Sequence, residues 1–252
     1  MKIKAVTTII LAEFIAIVLL GIYMYNKHNQ VPSVSISPIN KEGIGGLNIP
    51  PWLGYTPAYT INSDTLNDGS EYQIQKPKDT YRIMTLGDSF TFGFYVNTYD
   101  SYPETLERLL NEQPCNNKFE VLNLGLPGYD IRQSLERFKR RGSKYNPDLV
   151  IWFLVGGKNV FEHQSSFLDE FGDIYRKEFV MYGFKGWLSE EQEKRIRDFV
   201  EKHSLGHFYK SLLKLKKHGA FFPDGHPNQK GYLLMAQDML SYLLKNNIIP
   251  CE

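Results

Sequence analysis

The sequence predicts an α/β domain built on a parallel sheet, and three observations carry that prediction. Short apolar runs of the kind that buried parallel strands require occur at Arg82 to Leu86, Val121 to Leu124 and Leu149 to Val155. Amphipathic helical stretches separate them, which implies right-handed crossovers. The first run leads directly into Gly87-Asp88-Ser89, a strand-to-helix turn at the carboxyl edge, where such folds place their ligand chemistry.

The chain of 252 residues starts differently. Met1-Lys2-Ile3-Lys4 is followed by an apolar stretch from Ala5 to Tyr25, about the ~20 residues that a helix needs to cross a bilayer. Glu13 interrupts it at a cost of about 2.5 to 3.5 kcal/mol on insertion scales, which the surrounding Ile, Leu, Val and Phe offset. Lys2 and Lys4 favour an inside amino end and an exported remainder. No small-residue cleavage site follows, so residues 1–25 are expected to be an uncleaved transmembrane signal anchor, with a cleaved signal peptide as the alternative. Residues 26–50, with Pro32, Pro38 and Pro50 and no sustained period, read as an extended linker. Residues 51–252 then suit one domain.

Within that domain, Tyr102 to Asn111 sets Leu106, Leu109 and Leu110 on one helical face, and Ile131 to Arg141 does the same with Ile131, Leu135 and Phe138. Tyr175 to Phe184 suggests a hairpin, and Ser189-Glu190-Glu191-Gln192 marks a helix start. Phe199 to Leu215 suggests one or two more amphipathic helices, in a region that suits a lid or substrate-facing insertion. Asn228 to Leu244 carries an apolar stripe that reads as core packing. Between Val155 and His226 no further long apolar run occurs.

A formal charge of +1 with scattered basic residues gives no electrostatic case for nucleic acid. Two cysteines, Cys115 and Cys251, make no zinc spacing. His203 and His207 lie four apart but lack a third ligand, so no metal and no cofactor are expected.

The chemistry lies in Ser89 and in Asp224-Gly225-His226. A serine hydroxyl becomes a nucleophile only with a base in hydrogen-bond reach and a third group orienting that base. His226 and Asp224 supply both. Each segment also has a plainer reading, since Gly-Asp-Ser is a common turn, His226 precedes Pro227, and Asp224 could cap the helix near Asn228. Their joint occurrence in order favours catalysis.

Four segments resemble, in order, the blocks of the SGNH (GDSL-type) hydrolase family over roughly residues 52–252. They are Gly87-Asp88-Ser89, Asn123 to Tyr129 around Gly125, Gly156-Gly157-Lys158-Asn159, and Asp224-Gly225-His226. The resemblance implies a flavodoxin-like three-layer sandwich with Ser89, His226 and Asp224 as the catalytic residues. It also implies an oxyanion hole formed by the N–H groups of Ser89 and Gly125 and the Asn159 amide. The expected function is a membrane-anchored serine esterase acting on acyl esters, O-acetyl esters among them, of glycans, lipids or small molecules, with its catalytic domain exported. The resemblance also implies another buried strand between the third strand and the His226 loop; either Phe179 to Tyr182 is that strand, or the sheet is one strand short. The alternatives are acyl transfer to polysaccharide, and a non-catalytic module that binds glycan or a partner protein, favoured by the missing strand and by Lys158 and Val160 around Asn159. In such a sandwich the first and last helices lie side by side, so Cys115 and Cys251, which follow them, could pair in an oxidising compartment.

Overall fold

The computed structural model describes residues 49–154, 158–213 and 219–251, except the side chains of 158–165. The expected anchor of residues 1–25, and all but the last two residues of the linker, lie outside the described residues. Among the described residues, no helix is long and apolar enough to cross a membrane.

Strand alternation organises the rest. β1 (Thr80–Leu86), β2 (Lys118–Asn123), β3 (Leu149–Phe153), β4 (Glu178–Phe184) and β5 (Gly206–Ser211) form a five-stranded parallel sheet in the order β2-β1-β3-β4-β5. The α-helical segments are α1 (Ser89–Phe92), α2 (Tyr102–Asn111), α3 (Ile131–Arg137), α4 (Lys158–Ile174), α5 (Glu190–Lys202) and α6 (Gln229–Lys245). Successive strand residues point to opposite faces. Ile83, Val121, Ile151 and Val180 meet Leu106 of α2 and Met235 and Met239 of α6 in one core. Met84, Leu122, Val150 and Met181 meet Leu135 of α3, Phe171 of α4 and Ile196 of α5 in the other. The three-layer sandwich is therefore present.

The sheet is not one strand short. Glu178–Phe184 is a single buried parallel strand where a hairpin was expected, so Phe179 to Tyr182 does complete the platform. A fifth strand, Gly206–Ser211, stands where one or two helices were expected over Phe199 to Leu215; among the described residues of that span only the last turn of α5 is helical. This strand escapes sequence reading because it lies at the sheet edge and is mostly half-exposed, where polar residues such as His207 and Lys210 are admissible. His203 and His207 consequently do not share a helix. His203 caps α5, and His207 sits on β5, where its Nε2 lies 2.7 Å from Glu178 Oε1. The helix expected to reach Arg141 stays α-helical only to Arg137 and then widens through a π-turn over Phe138–Gly142.

Cys115 and Cys251 form a disulfide, with Cα atoms 4.7 Å apart, tying the exit of α2 to the exit of α6. Cys115 precedes β2, so the bridge lies at the amino edge of the sheet. Arg82 is fully buried within β1. Its Nε donates to Glu120 Oε2 at 2.8 Å, and its remaining N–H groups reach the carbonyls of Gln73, Ile74 and Tyr145, so the buried charge is paired and satisfied.

Candidate active site

The strand order reverses at β1, because the chain lays β2 on one side of it and then returns to lay β3 on the other. That reversal opens a crevice at the carboxyl ends of β1 and β3. β1 ends at Leu86, and Gly87-Asp88 turns the chain into α1, whose first residue is Ser89.

The turn that carries Ser89 is held from several sides. The Asp88 carboxylate accepts the Phe90 N–H at 2.9 Å, capping α1. Burial pushes the Asp88 carboxyl up to about 6, against the opposing effects of that hydrogen bond and of His226. Gly93 ends α1 with φ of 88°, a left-handed conformation that favours glycine. The Phe92 carbonyl accepts from Asn67 Nδ2 at 2.7 Å and from Asn123 Nδ2 at 3.2 Å, so two buried amides secure the carboxyl end of this single turn. Gly125 packs directly on it: a Cβ there would stand 2.4 Å from the Phe92 backbone nitrogen.

The histidine arrives on a tight loop. The Phe222 N–H donates to the His226 carbonyl at 2.8 Å, the Gly225 N–H to the Phe222 carbonyl at 3.0 Å, and the Asn228 N–H to the Ala220 carbonyl at 3.0 Å. Asn228 caps α6, accepting the Gly231 N–H at 3.1 Å. The cap position is thus filled without Asp224. Instead Asp224 Oδ1 accepts the His226 backbone N–H at 3.0 Å, and Asp224 Oδ2 lies 2.9 Å from His226 Nδ1.

His226 Nε2 lies 2.9 Å from Ser89 Oγ. A carboxylate can only accept, so Nδ1 carries the proton toward Asp224, and Nε2 is left to accept from the Ser89 hydroxyl. The rings of Phe90, Phe94 and Tyr95 stand 5.3, 5.0 and 5.3 Å from the imidazole. They leave the His226 side chain 22% exposed, open enough on one side to be reached. Trp187 meets Phe90 edge-on at 5.3 Å, and Trp52 lies 5.6 Å from Phe222.

The structure therefore brings Ser89, His226 and Asp224 into one hydrogen-bonded chain. The oxyanion group is placed less completely. Ser89 N–H belongs to the first residue of α1. Gly125 N–H donates to Asn123 Oδ1 at 3.1 Å. Asn159 falls in the first turn of α4, but its side chain, like Gly156 and Gly157, lies outside the described residues. Among the described residues, no cluster of three His, Cys, Asp or Glu side chains is arranged to hold a metal. Sequence reasoning did not single out Asn67 or the tyrosines around Tyr95. Loop asparagines and tyrosines are too common for any short-range pattern to mark them.

No protein-family model and no curated protein matches the chain. Solved structures do. A family 3 carbohydrate esterase from Clostridium thermocellum superposes with a TM-score of 0.53 at 19% identity, over 66% of this chain and 96% of that one. The psychrotrophic esterase EstA from a Pseudoalteromonas species gives 0.54 at 15% identity, over 67% and 99%. A two-domain esterase active on acetylated mannans gives 0.53 at 15% identity, over 66% of this chain but only 49% of its own length, so this chain matches about half of that protein. A protein from Desulfitobacterium hafniense named as lipolytic and of the G-D-S-L family matches at 19% identity with a TM-score of 0.50, over 64% of this chain and 98% of that one. At these identities the likeness establishes architecture, and the described residues adopt the fold of the SGNH, or GDSL-type, hydrolases.

Proposed function

We propose that the chain is a serine esterase that works through an acyl-enzyme on Ser89. The carrying observation is the unbroken path from Ser89 Oγ through His226 to Asp224, with both side-chain contacts at 2.9 Å. As Ser89 Oγ attacks an ester carbonyl, its proton passes to His226 Nε2. Asp224 keeps Nδ1–H aligned and stabilises the imidazolium. The imidazolium then protonates the departing alcohol. In the second half His226 takes a proton from water as the water oxygen attacks the acyl carbon, and the imidazolium returns that proton to Ser89 Oγ as the acyl–Oγ bond breaks and the acid leaves.

The tetrahedral oxygen needs hydrogen-bond donors, each worth about 3 to 4 kcal/mol of barrier. In this reading the N–H groups of Ser89 and Gly125 and the Asn159 side chain supply them, with Gly125 N–H sharing itself between Asn123 Oδ1 and the oxyanion. Substrates in this proposal are small acyl esters, O-acetylated glycans among them. The acetylated mannans on which one structural neighbour acts are consistent with that class. Residues 1–25 would hold the domain to the outer side of the cytoplasmic membrane, a compartment in which the Cys115–Cys251 bridge persists. Of the two grounds for a non-catalytic module, the five-stranded sheet removes the missing strand, while Lys158 and Val160 around Asn159 remain.

The test is covalent labelling of the full-length chain, solubilised in detergent, with a fluorophosphonate probe beside Ser89→Ala and His226→Ala. Labelling confined to Ser89 and lost in both variants is expected. A folded wild-type chain that never labels would refute the reading.

A further inference from the structure

Asp68 is a fully buried carboxyl that the triad does not use, yet only two hydrogen bonds separate it from Gly125. Its Oδ2 accepts the Asn123 backbone N–H at 3.2 Å, while its Oδ1 accepts the Ser70 N–H at 3.0 Å and the Tyr72 hydroxyl at 2.9 Å. Asn123, the last residue of β2, is equally buried, and both ends of its side chain are engaged at the site. Its Nδ2 donates to the Phe92 carbonyl at 3.2 Å, and its Oδ1 accepts the Gly125 N–H at 3.1 Å. Asp68 therefore stands directly behind the residue that fixes both Gly125 and the carboxyl end of α1.

Two more carboxyls, from α2, meet the same loop. Glu104 Oε1 accepts the Gly69 N–H at 2.7 Å. Glu107 Oε2 accepts the Val121 N–H at 2.6 Å and lies 3.2 Å from the Tyr72 hydroxyl. Tyr72 thus stands between Asp68 and Glu107 with a single proton to give. It can donate to one carboxylate only, so both contacts are made when the other carboxyl carries a proton of its own and donates to the Tyr72 oxygen. The surroundings favour such a shared proton. Burial and the charge of Glu104 hold Asp68 well above the ordinary carboxylate range. Burial, against the Val121 N–H and together with the charge of Glu104, pushes Glu107 up to about 7. Glu120 of β2 adds its charge to Glu107, but it is itself paired with the buried Arg82 of β1. Tyr72 keeps its proton throughout, because burial and the charges of Asp68 and Glu107 raise it.

We propose that Asp68 is a positioning residue for Gly125: through Asn123 it holds that N–H and α1 in place, and it does so while sharing a proton with Glu107 across Tyr72. The proposal rests on the esterase reading for its consequence in catalysis. Below neutrality the shared proton lets the two acids and Tyr72 close one chain, and Asp68 stays on the Asn123 N–H. As pH rises through about 7 that proton leaves, and two carboxylates then face each other across one hydroxyl, with Glu104 a third charge beside them. Their repulsion in a buried space shifts Asp68 off Asn123 and loosens Gly125.

The test uses the full-length chain in detergent and compares wild type with Glu107→Gln, which keeps the shape of the cluster and removes the acid that titrates. The ratio of their rates of fluorophosphonate labelling at Ser89 cancels whatever else in the site titrates, Asp88 included. Wild type should slow relative to Glu107→Gln by about fivefold between about pH 6 and about pH 8. Asp68→Ala should slow labelling by about tenfold at both pH values, and Asp68→Asn, which keeps one acceptor oxygen, should recover part of that loss without the pH dependence. If Asp68→Ala fails to fold, Glu107→Gln, which leaves Asp68 in place, still decides. A second readout needs no activity. In NMR spectra of the chain isotope-labelled at its 20 glycines, the Gly125 amide, assigned by its loss in Gly125→Ala, should move with pH near neutrality in wild type and hold still in Glu107→Gln. Either a rate ratio that is flat with pH or a wild-type Gly125 signal that ignores pH would overturn the proposal. A wild-type chain that never labels would defeat the esterase reading alone, and the Gly125 signal would then decide the role of Asp68.

Discussion

Replacing Gly125 by alanine should disable the site far more than it destabilises the fold. The added Cβ would stand 2.4 Å from the Phe92 nitrogen and 2.7 Å from the Thr91 carbonyl carbon, whereas ordinary contact begins near 3.4 Å. Relief requires roughly 1 Å of movement, and close-packed interiors offer little slack when the obstructing atoms are backbone. Those atoms belong to α1, the four-residue turn that begins with Ser89. Its carboxyl end is pinned by Asn67 and Asn123, so the displacement passes toward the nucleophile. Misplacing a reacting group by about 1 Å can cost on the order of a hundredfold in rate. Overpacking itself costs about 1 to 3 kcal/mol, which a domain of about 5 to 15 kcal/mol total stability survives. The assay compares the rate of fluorophosphonate labelling at Ser89 with the urea midpoint for wild type and Gly125→Ala. A folded variant that labels within about twofold of wild type would show that Gly125 does not hold the nucleophile turn in place.

Two further outcomes follow from groups outside the triad. The Cys115–Cys251 bridge spans 136 residues of sequence, so loop-closure entropy sets a ceiling of about 5 kcal/mol on its contribution. Urea unfolding with and without reductant should show a clear drop in midpoint on reduction, while labelling at Ser89 without denaturant persists, because the bridge lies at the opposite sheet edge. Asp88 titrates near 6 in the fold against an ordinary 3.8, so the native state holds its proton more tightly than the unfolded chain does. Its contribution to stability therefore falls as pH rises from about 4 to about 6, by up to about 3 kcal/mol. Asp88→Asn retains an oxygen to cap α1 and should flatten that part of the profile, seen as urea midpoints compared at about pH 4.5 and about pH 7.5. An unchanged slope would remove Asp88 from the account.

Much of this protein is written in short-range pattern. The strands at Ile83, Val121 and Ile151, the capping box of Ser189 and Gln192, and the stripe of α6 each follow from local periodicity or local hydrogen bonding, which a sequence displays directly. The same holds for Ser89, Asp224 and His226, because the chemistry demands those residue types at turns that follow a strand or precede a helix. Pairing across the sheet is a different matter. β5 exists because Val180 and Met181 offer it an edge, and nothing within His207 to Lys210 announces that partner.

What the sequence determined by itself was the class of fold and the identity of the three residues in the hydrogen-bonded chain. Tertiary structure alone decided that Gly125 is needed for its close approach to α1, that its N–H is engaged by Asn123, and that Cys115 meets Cys251. It also decided that Tyr55 and Tyr59 reach 40 and 36 residues along the chain to hold Tyr95 against His226. The physical reason is range: local propensity and burial act over a turn or a strand, whereas these contacts are made only after the layers have packed.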